Sequence, residues 1–185
     1  MPSPQSLMVA KAMAFAAEAH KTQFRAQGVP YFCHVFEVYK LVRNRTGDAD
    51  VQVAALLHDT IEDCQVSRAT LAAEFNERIA ELVQQLTNDY SDHLEHEQKL
   101  VATREHASHL SEDAKLVKMY DRYHNLSECE AWKPQRIMRY CENTRALFDA
   151  MAMPLNPPED KKFGHRWWFE VSQVEILVSG LEKKF

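Results

Sequence analysis

Glycine is scarce in this chain, with 4 residues in 185. Hairpin turns draw on glycine for positive φ, so the scarcity argues against a strand-and-turn architecture. It also leaves no Gly-rich loop whose amides could cradle a phosphate. Basic residues are not in excess: 22 Lys and Arg stand against 27 Asp and Glu, a net charge of −5. That balance cannot supply the counterion release on which duplex binding depends, so nucleic acid is not an expected partner. No Cys-x-x-Cys pair occurs. Cys33, Cys64, Cys129 and Cys141 are scattered, which disfavours a zinc ribbon or dithiol redox site and fits a reducing compartment. No stretch approaches the ~20 apolar residues of a membrane span. The N-terminal run MPSPQSLMVAKAMAFAAEAHKTQF is interrupted by Lys11, Glu18 and His20 and lacks the shape of a signal peptide. These absences point to a cytoplasmic protein with no membrane partner.

What is present is the balance of an ordinary globular protein: 45% hydrophobic and 26% charged residues, in a length that one core can serve. The apolar spacing is helical throughout. Leu7, Met8, Ala12, Phe15, Ala16 and Ala19 predict a helix over 6–23. A second starts near His34 and stops before Gly47, a natural C-terminal cap. Asp48 or Asp50 caps a third, which runs through VQVAALLHDTIEDC. Ser67 caps a short helix ending at Phe75. Asn76 follows, a residue that tolerates the left-handed conformation, and another apolar stripe runs over Ile79, Leu82, Val83 and Leu86. Residues 88–111 read as polar, and Ser111 opens a strong helix. Pro134 suits the first turn of a further one. Pro154, Pro157 and Pro158 form a linker before a last helix. The fold class is all-α: a helical domain over 1–153, with 154–185 as a proline-containing linker and a C-terminal helix packing on the same domain.

The most informative stretch is His58-Asp59-Thr60-Ile61-Glu62-Asp63. Residues four apart share a helix face, so His58 should lie over Glu62 and Asp59 over Asp63. Three carboxylates and an imidazole then gather at the end of a helix whose preceding turns are apolar. Such a gathering is self-repulsive unless a cation joins it. Mixed imidazole and carboxylate donors suit Mn, Fe or Zn better than Ca or Mg. Downstream, Asp121 and Asn125 share a face within Lys118-Met119-Tyr120-Asp121-Arg122-Tyr123-His124-Asn125. Taken singly, Asp121 also fits a surface Asp-Arg helix, and His34 a helix cap or core position.

Together and in this order, the pieces resemble the HD-domain superfamily of metal-dependent phosphohydrolases. More narrowly, they resemble the guanosine tetraphosphate (ppGpp) hydrolase domain of the RelA/SpoT group and its small stand-alone relatives. The matching stretches are AHKTQFRAQGVPYFCHV, AALLHDTIEDC, the helix ending in Phe75-Asn76, ELVQQLTND and AKLVKMYDRYHNL. The resemblance implies a single-domain helical HD-domain (PDEase-like) fold holding one Mn²⁺. It implies His34, His58, Asp59 and Asp121 as the ligands, and Glu62 and Asp63 as the catalytic acidic pair. Asn125 would contact substrate, and Arg25 would border the nucleotide site. The implied reaction releases pyrophosphate from the 3′ position of ppGpp. A bound divalent ion would polarise a phosphoryl oxygen and bring the pKa of its water towards ~7, with a nearby carboxylate taking the proton.

Three positions depart from the family pattern. Ala26 stands where a lysine usually follows the arginine, His34-Val35 replaces His-Pro, and LTNDY lacks a lysine after its LT. Phosphate binding would then lean on Arg25, the metal, and Lys21 or Lys118. These departures keep two other readings open: a phosphatase of another nucleotide or dinucleotide, and a non-catalytic nucleotide-binding module. In each the partner is a small anionic nucleotide. The pairs His93/His96 and His106/His109 read as solvated residues rather than a second metal site, since no carboxylate or cysteine pattern completes one. The Trp167-Trp168-Phe169 cluster reads as core or as a contact between copies of the chain, which leaves a homo-oligomer open.

Overall fold

A computed structural model describes residues 1–88, 94–153, 155 and 168–184. His93, the linker prolines and Trp167 lie outside the described residues, as do the side chains of His96 and Trp168. The described residues contain no strand; one isolated antiparallel bridge joins Phe24 and Pro30. The helices are α1 (Pro4–Ala19), α2 (Phe32–Arg45), α3 (Ala49–Leu57), α4 (Thr60–Cys64), α5 (Arg68–Glu74), α6 (Glu77–Leu86), α7 (His96–Ser108), α8 (Glu112–Ser127), α9 (Pro134–Ala150) and α10 (Trp168–Lys184). None is long and apolar enough to cross a membrane.

The chain divides into two compact units. The first comprises Met1–Asp89 with Ser111–Asp121, the second Tyr90–Leu110 with Arg122–Phe185. In the first unit α3 is central and packs against α1, α2 and α6. Val51, Val53, Ala54, Ala55, Leu56 and Leu57 are all 0% exposed, so this helix is buried around nearly its whole circumference. Asp48 fixes its start by accepting hydrogen bonds from the Asp50 and Val51 amides. In the second unit α9 packs against α7 and α10. Arg145 on α9 bonds Glu175 and Glu182 of α10. The same unit carries a ladder of cations and rings. The Arg136 guanidinium lies 4.2 Å from the Trp132 ring centre, Trp132 meets Tyr140 edge-on at 5.1 Å, and Arg122 lies 4.5 Å over Tyr140.

Several elements differ from the sequence reading, each for a local reason. Helix α1 ends at Ala19 rather than near 23, because Gln23 turns to bond His20 and its carbonyl accepts the Tyr31 amide. Helix α2 ends through extended Thr46, not through a left-handed Gly47. Asn76 is extended and caps α6 with its side chain, accepting from the Ile79 amide. The polar stretch 88–111 contains α7, whose inner face is only Leu100, Thr103 and Ala107, too thin a stripe to stand out. The helix expected through residue 64 is broken at His58-Asp59. Thr60 Oγ1 bonds the Leu57 carbonyl, His58 Nδ1 bonds the Ala55 carbonyl, and Asp59 leaves the helical conformation at φ −98°, ψ 0°.

Candidate active site

The break between α3 and α4 decides the geometry of the site. Consecutive residues on an unbroken helix diverge by about 100°. Here the kink brings the carboxylate of Asp59 back to the ring of His58, with Oδ2 3.0 Å from Nε2. The first turn of α2 supplies His34, whose Nε2 lies 3.7 Å from the same Asp59 oxygen and 3.2 Å from Asp121 Oδ1 on α8. Asp121 Oδ1 is 3.7 Å from His58 Nε2. The two imidazoles meet edge-on, 5.4 Å between centres. His34, His58 and Asp121 are the group among the described residues whose donor atoms lie close enough to share a metal ion. All four of these side chains belong to the first unit.

The protonation pattern tests whether a cation fits. A carbonyl can only accept, so the 2.8 Å contact with the Ala55 carbonyl places a proton on His58 Nδ1. A neutral His58 then leaves its Nε2 lone pair in a buried space with carboxylate oxygens 3.0 and 3.7 Å away. That Nε2 is buried and lacks the geometry of a hydrogen bond. Lone pair against lone pair is repulsive until a proton or a metal ion enters between them. Burial opposes charge on His58, yet the Asp59 and Asp121 carboxylates outweigh it and raise its pKa well above the ordinary value. Burial likewise opposes the charge of Asp121, and the His34 and His58 rings hold it well below the usual carboxylate range. The donor set therefore favours a cation. Two imidazoles with the Asp121 carboxylate fit a divalent transition metal; Asp59, though 3.0 Å from His58, falls outside that group.

Glu62 and Asp63 follow on α4. The Asn88 amide and side chain both donate to Glu62 Oε2, at 2.9 and 3.3 Å. Burial, with the Asp59 and Glu62 charges nearby, pushes the Asp63 carboxyl up to about 6. Of the other expected site residues, Arg25 sits in the 23–31 loop, whose turn is closed by Arg25 N–Val29 O and Gly28 N–Arg25 O bonds, 2.8 Å each. Gly28 takes φ +78° there, which its missing Cβ permits. Asn125 comes one turn after Asp121 on α8, in the part belonging to the second unit.

One expectation is corrected. Lys118 is not available to phosphate: it is buried, and its ammonium donates to the Leu86 carbonyl at 3.0 Å, closing the end of α6. Lys21 is exposed and pairs with Glu18 on the surface, a contact that leaves it accessible. Two residues were missed. Tyr31 donates its hydroxyl to Asp59 Oδ2 at 2.8 Å, and Asn88 holds Glu62. No periodicity could have found either, since both act across more than 20 residues of sequence.

A helical domain with buried, opposed histidines and aspartates, followed at once by an acidic pair, defines a class. The HD-domain family profile matches residues 12–156, and the chain belongs to that family. It is 36% identical over 151 residues to the guanosine-3′,5′-bis(diphosphate) 3′-pyrophosphohydrolase MESH1 of Danio rerio, covering 69% of this chain and 75% of that protein. It is 30% identical over 149 residues to a probable guanosine-3′,5′-bis(diphosphate) 3′-pyrophosphohydrolase of Synechocystis, covering 78% of this chain and 20% of that protein. The enzyme of that name from Vibrio cholerae is 29% identical over 153 residues, covering 80% of this chain and 22% of that protein. The chain thus spans about a fifth of the length of these two bacterial relatives. Among solved structures, a metazoan ortholog of SpoT that hydrolyzes ppGpp is similar, with TM-score 0.74 and 25% identity over 100% of this chain and 97% of that one.

Proposed function

We propose that this chain is a metal-dependent phosphohydrolase that uses water to release pyrophosphate from the 3′ position of ppGpp, leaving GDP. His34, His58, Asp59 and Asp121 would hold one divalent ion, manganese in this reading. The observation that supports it best is the Nε2 atom of His58, buried with two carboxylate oxygens at 3.0 and 3.7 Å while Nδ1 is already engaged. Such an ion, when bound, supplies Lewis acidity towards a phosphoryl oxygen and acidifies water. The protein's own part is proton handling. Glu62, held by Asn88, and Asp63 on the same short helix would take a proton from the attacking water and return one to the leaving group. Arg25 and Asn125 would hold the nucleotide's phosphates. The engagement of Lys118, with Ala26 in the loop, leaves fewer cations for phosphate than the family pattern carries.

The test is product identification. Purified protein given Mn²⁺ and ppGpp should yield GDP and pyrophosphate, and a chelator should abolish the reaction. Orthophosphate released from another nucleotide, with ppGpp untouched, would overturn the substrate and keep the class. No product from any of a nucleotide panel would overturn the enzyme reading.

A further inference from the structure

The 23–31 loop is fastened at both ends to the segment that carries the site. At one end Gln23 Nε2 donates to the Asp63 carbonyl at 2.8 Å, and Gln23 Oε1 is held by His20 Nδ1 at 2.7 Å. At the other end the Tyr31 hydroxyl reaches Asp59 Oδ2 at 2.8 Å. The two ends are tied to each other by the Tyr31 N–Gln23 O bond of 2.9 Å. The Tyr31 ring is packed on two histidines: it stacks on buried His20 at 4.9 Å and meets His34 edge-on at 5.5 Å.

The hydroxyl chooses a particular oxygen. Asp59 Oδ2 is the atom that faces both imidazoles, 3.0 Å from His58 Nε2 and 3.7 Å from His34 Nε2. A carboxylate oxygen offers two lone-pair directions. Tyr31 occupies one, on the oxygen that lies near both rings. Asp59 is poorly restrained by its own backbone, since it sits in the break between α3 and α4 with no capping bond from its side chain.

We propose that Tyr31 is a positioning residue that orients Asp59 for metal binding, so that the 23–31 loop belongs to the metal centre. The proposal rests on the metal reading above. A donor of this kind fixes the rotamer of the ligating carboxylate, and its loss lowers metal affinity by about 10–100-fold in comparable sites. The same loop carries Arg25, so a single short segment sets both the metal ligand and the proposed phosphate contact.

Tyr31→Phe is the discriminating variant, because it keeps the ring on His20 and His34 and deletes only the hydroxyl. Circular dichroism and thermal unfolding of the metal-free variant should match the wild type, which separates positioning from a general structural role. Mn²⁺ affinity, measured by competition with a chromophoric chelator, should fall by about 10–100-fold. The visible spectrum of the Co²⁺-loaded protein should shift as the carboxylate reorients. Wild-type affinity and an unshifted Co²⁺ spectrum in a folded variant would overturn the Tyr31 role alone. A wild-type protein that binds neither ion would overturn the metal reading, and the Tyr31 role with it.

Discussion

The sharpest test of the acidic pair compares Glu62→Gln with Asn88→Ala. Glutamine keeps the size of Glu62, and its amide oxygen can still accept the Asn88 main-chain N–H, which lies 2.9 Å from Oε2. What it loses is the ability to take a proton. General-base catalysis contributes about 10²–10⁴-fold, so turnover should fall by that factor, equivalent to about 3–5 kcal/mol of barrier. Asn88→Ala deletes only the longer of the two bonds to Glu62, at 3.3 Å, and leaves the main-chain donor in place. A hydrogen bond to a charged group is worth about 1.5–3 kcal/mol, and a long one sits at the low end. That variant should therefore lose about tenfold, through misorientation rather than loss of the base. Both should retain their metal by elemental analysis. The assay is single-turnover release of pyrophosphate from ppGpp at saturating Mn²⁺. Near-normal turnover in Glu62→Gln would refute the base assignment, and an Asn88→Ala defect as large as that of Glu62→Gln would refute the separation of roles.

Further outcomes follow from the same geometry. Asp59→Ala should lose metal content and activity together, whereas full metal in that variant by elemental analysis would remove Asp59 from the ligand set. Because the Asp63 carboxyl titrates near 6 in the folded metal-free protein, against about 4 unfolded, the unfolded chain binds fewer protons in that window. Stability contributed by Asp63 is thus present at acid pH and lost as pH rises through 6; denaturant unfolding across pH 4.5–7.5 should show a slope that Asp63→Asn reduces, most at the acid end. Lys118→Met strands the buried Leu86 carbonyl, which costs about 1–3 kcal/mol. For a chain of this size that is roughly 2–10 °C in Tm, and an unchanged melting curve would show that the carbonyl finds another donor.

The helical class and the caps were legible because they are local. Asp48, Ser67 and Pro134 act within one turn, where spacing alone decides the outcome. His58 and Asp59 stood out from their own acidic stretch, but that His34 and Asp121 join them was legible only through resemblance, since these two are 87 positions apart and nothing in either's neighbourhood names the other. The break at Asp59 was invisible for a different reason. VQVAALLHDTIEDC has helical spacing throughout, and the side chains of His58 and Thr60 override it by bonding the carbonyls of Ala55 and Leu57. Lys118 was misjudged because a sequence shows a charge but not its partner, and here the ammonium goes to a main-chain oxygen.

Helix α3 has one more consequence. It is the most deeply enclosed element of the first unit, and His58 caps its end with Nδ1 tied to that helix's own carbonyl. Tyr31 in turn donates to Asp59 from a separate segment. Small zinc modules have little apolar core and fold only when the ion arrives. Here His34 and His58 are enclosed in a helical core, and one of them is also tied to a main-chain carbonyl. Folding and ion binding should therefore be separable: removing a proposed ligand should cost the ion before it costs the fold.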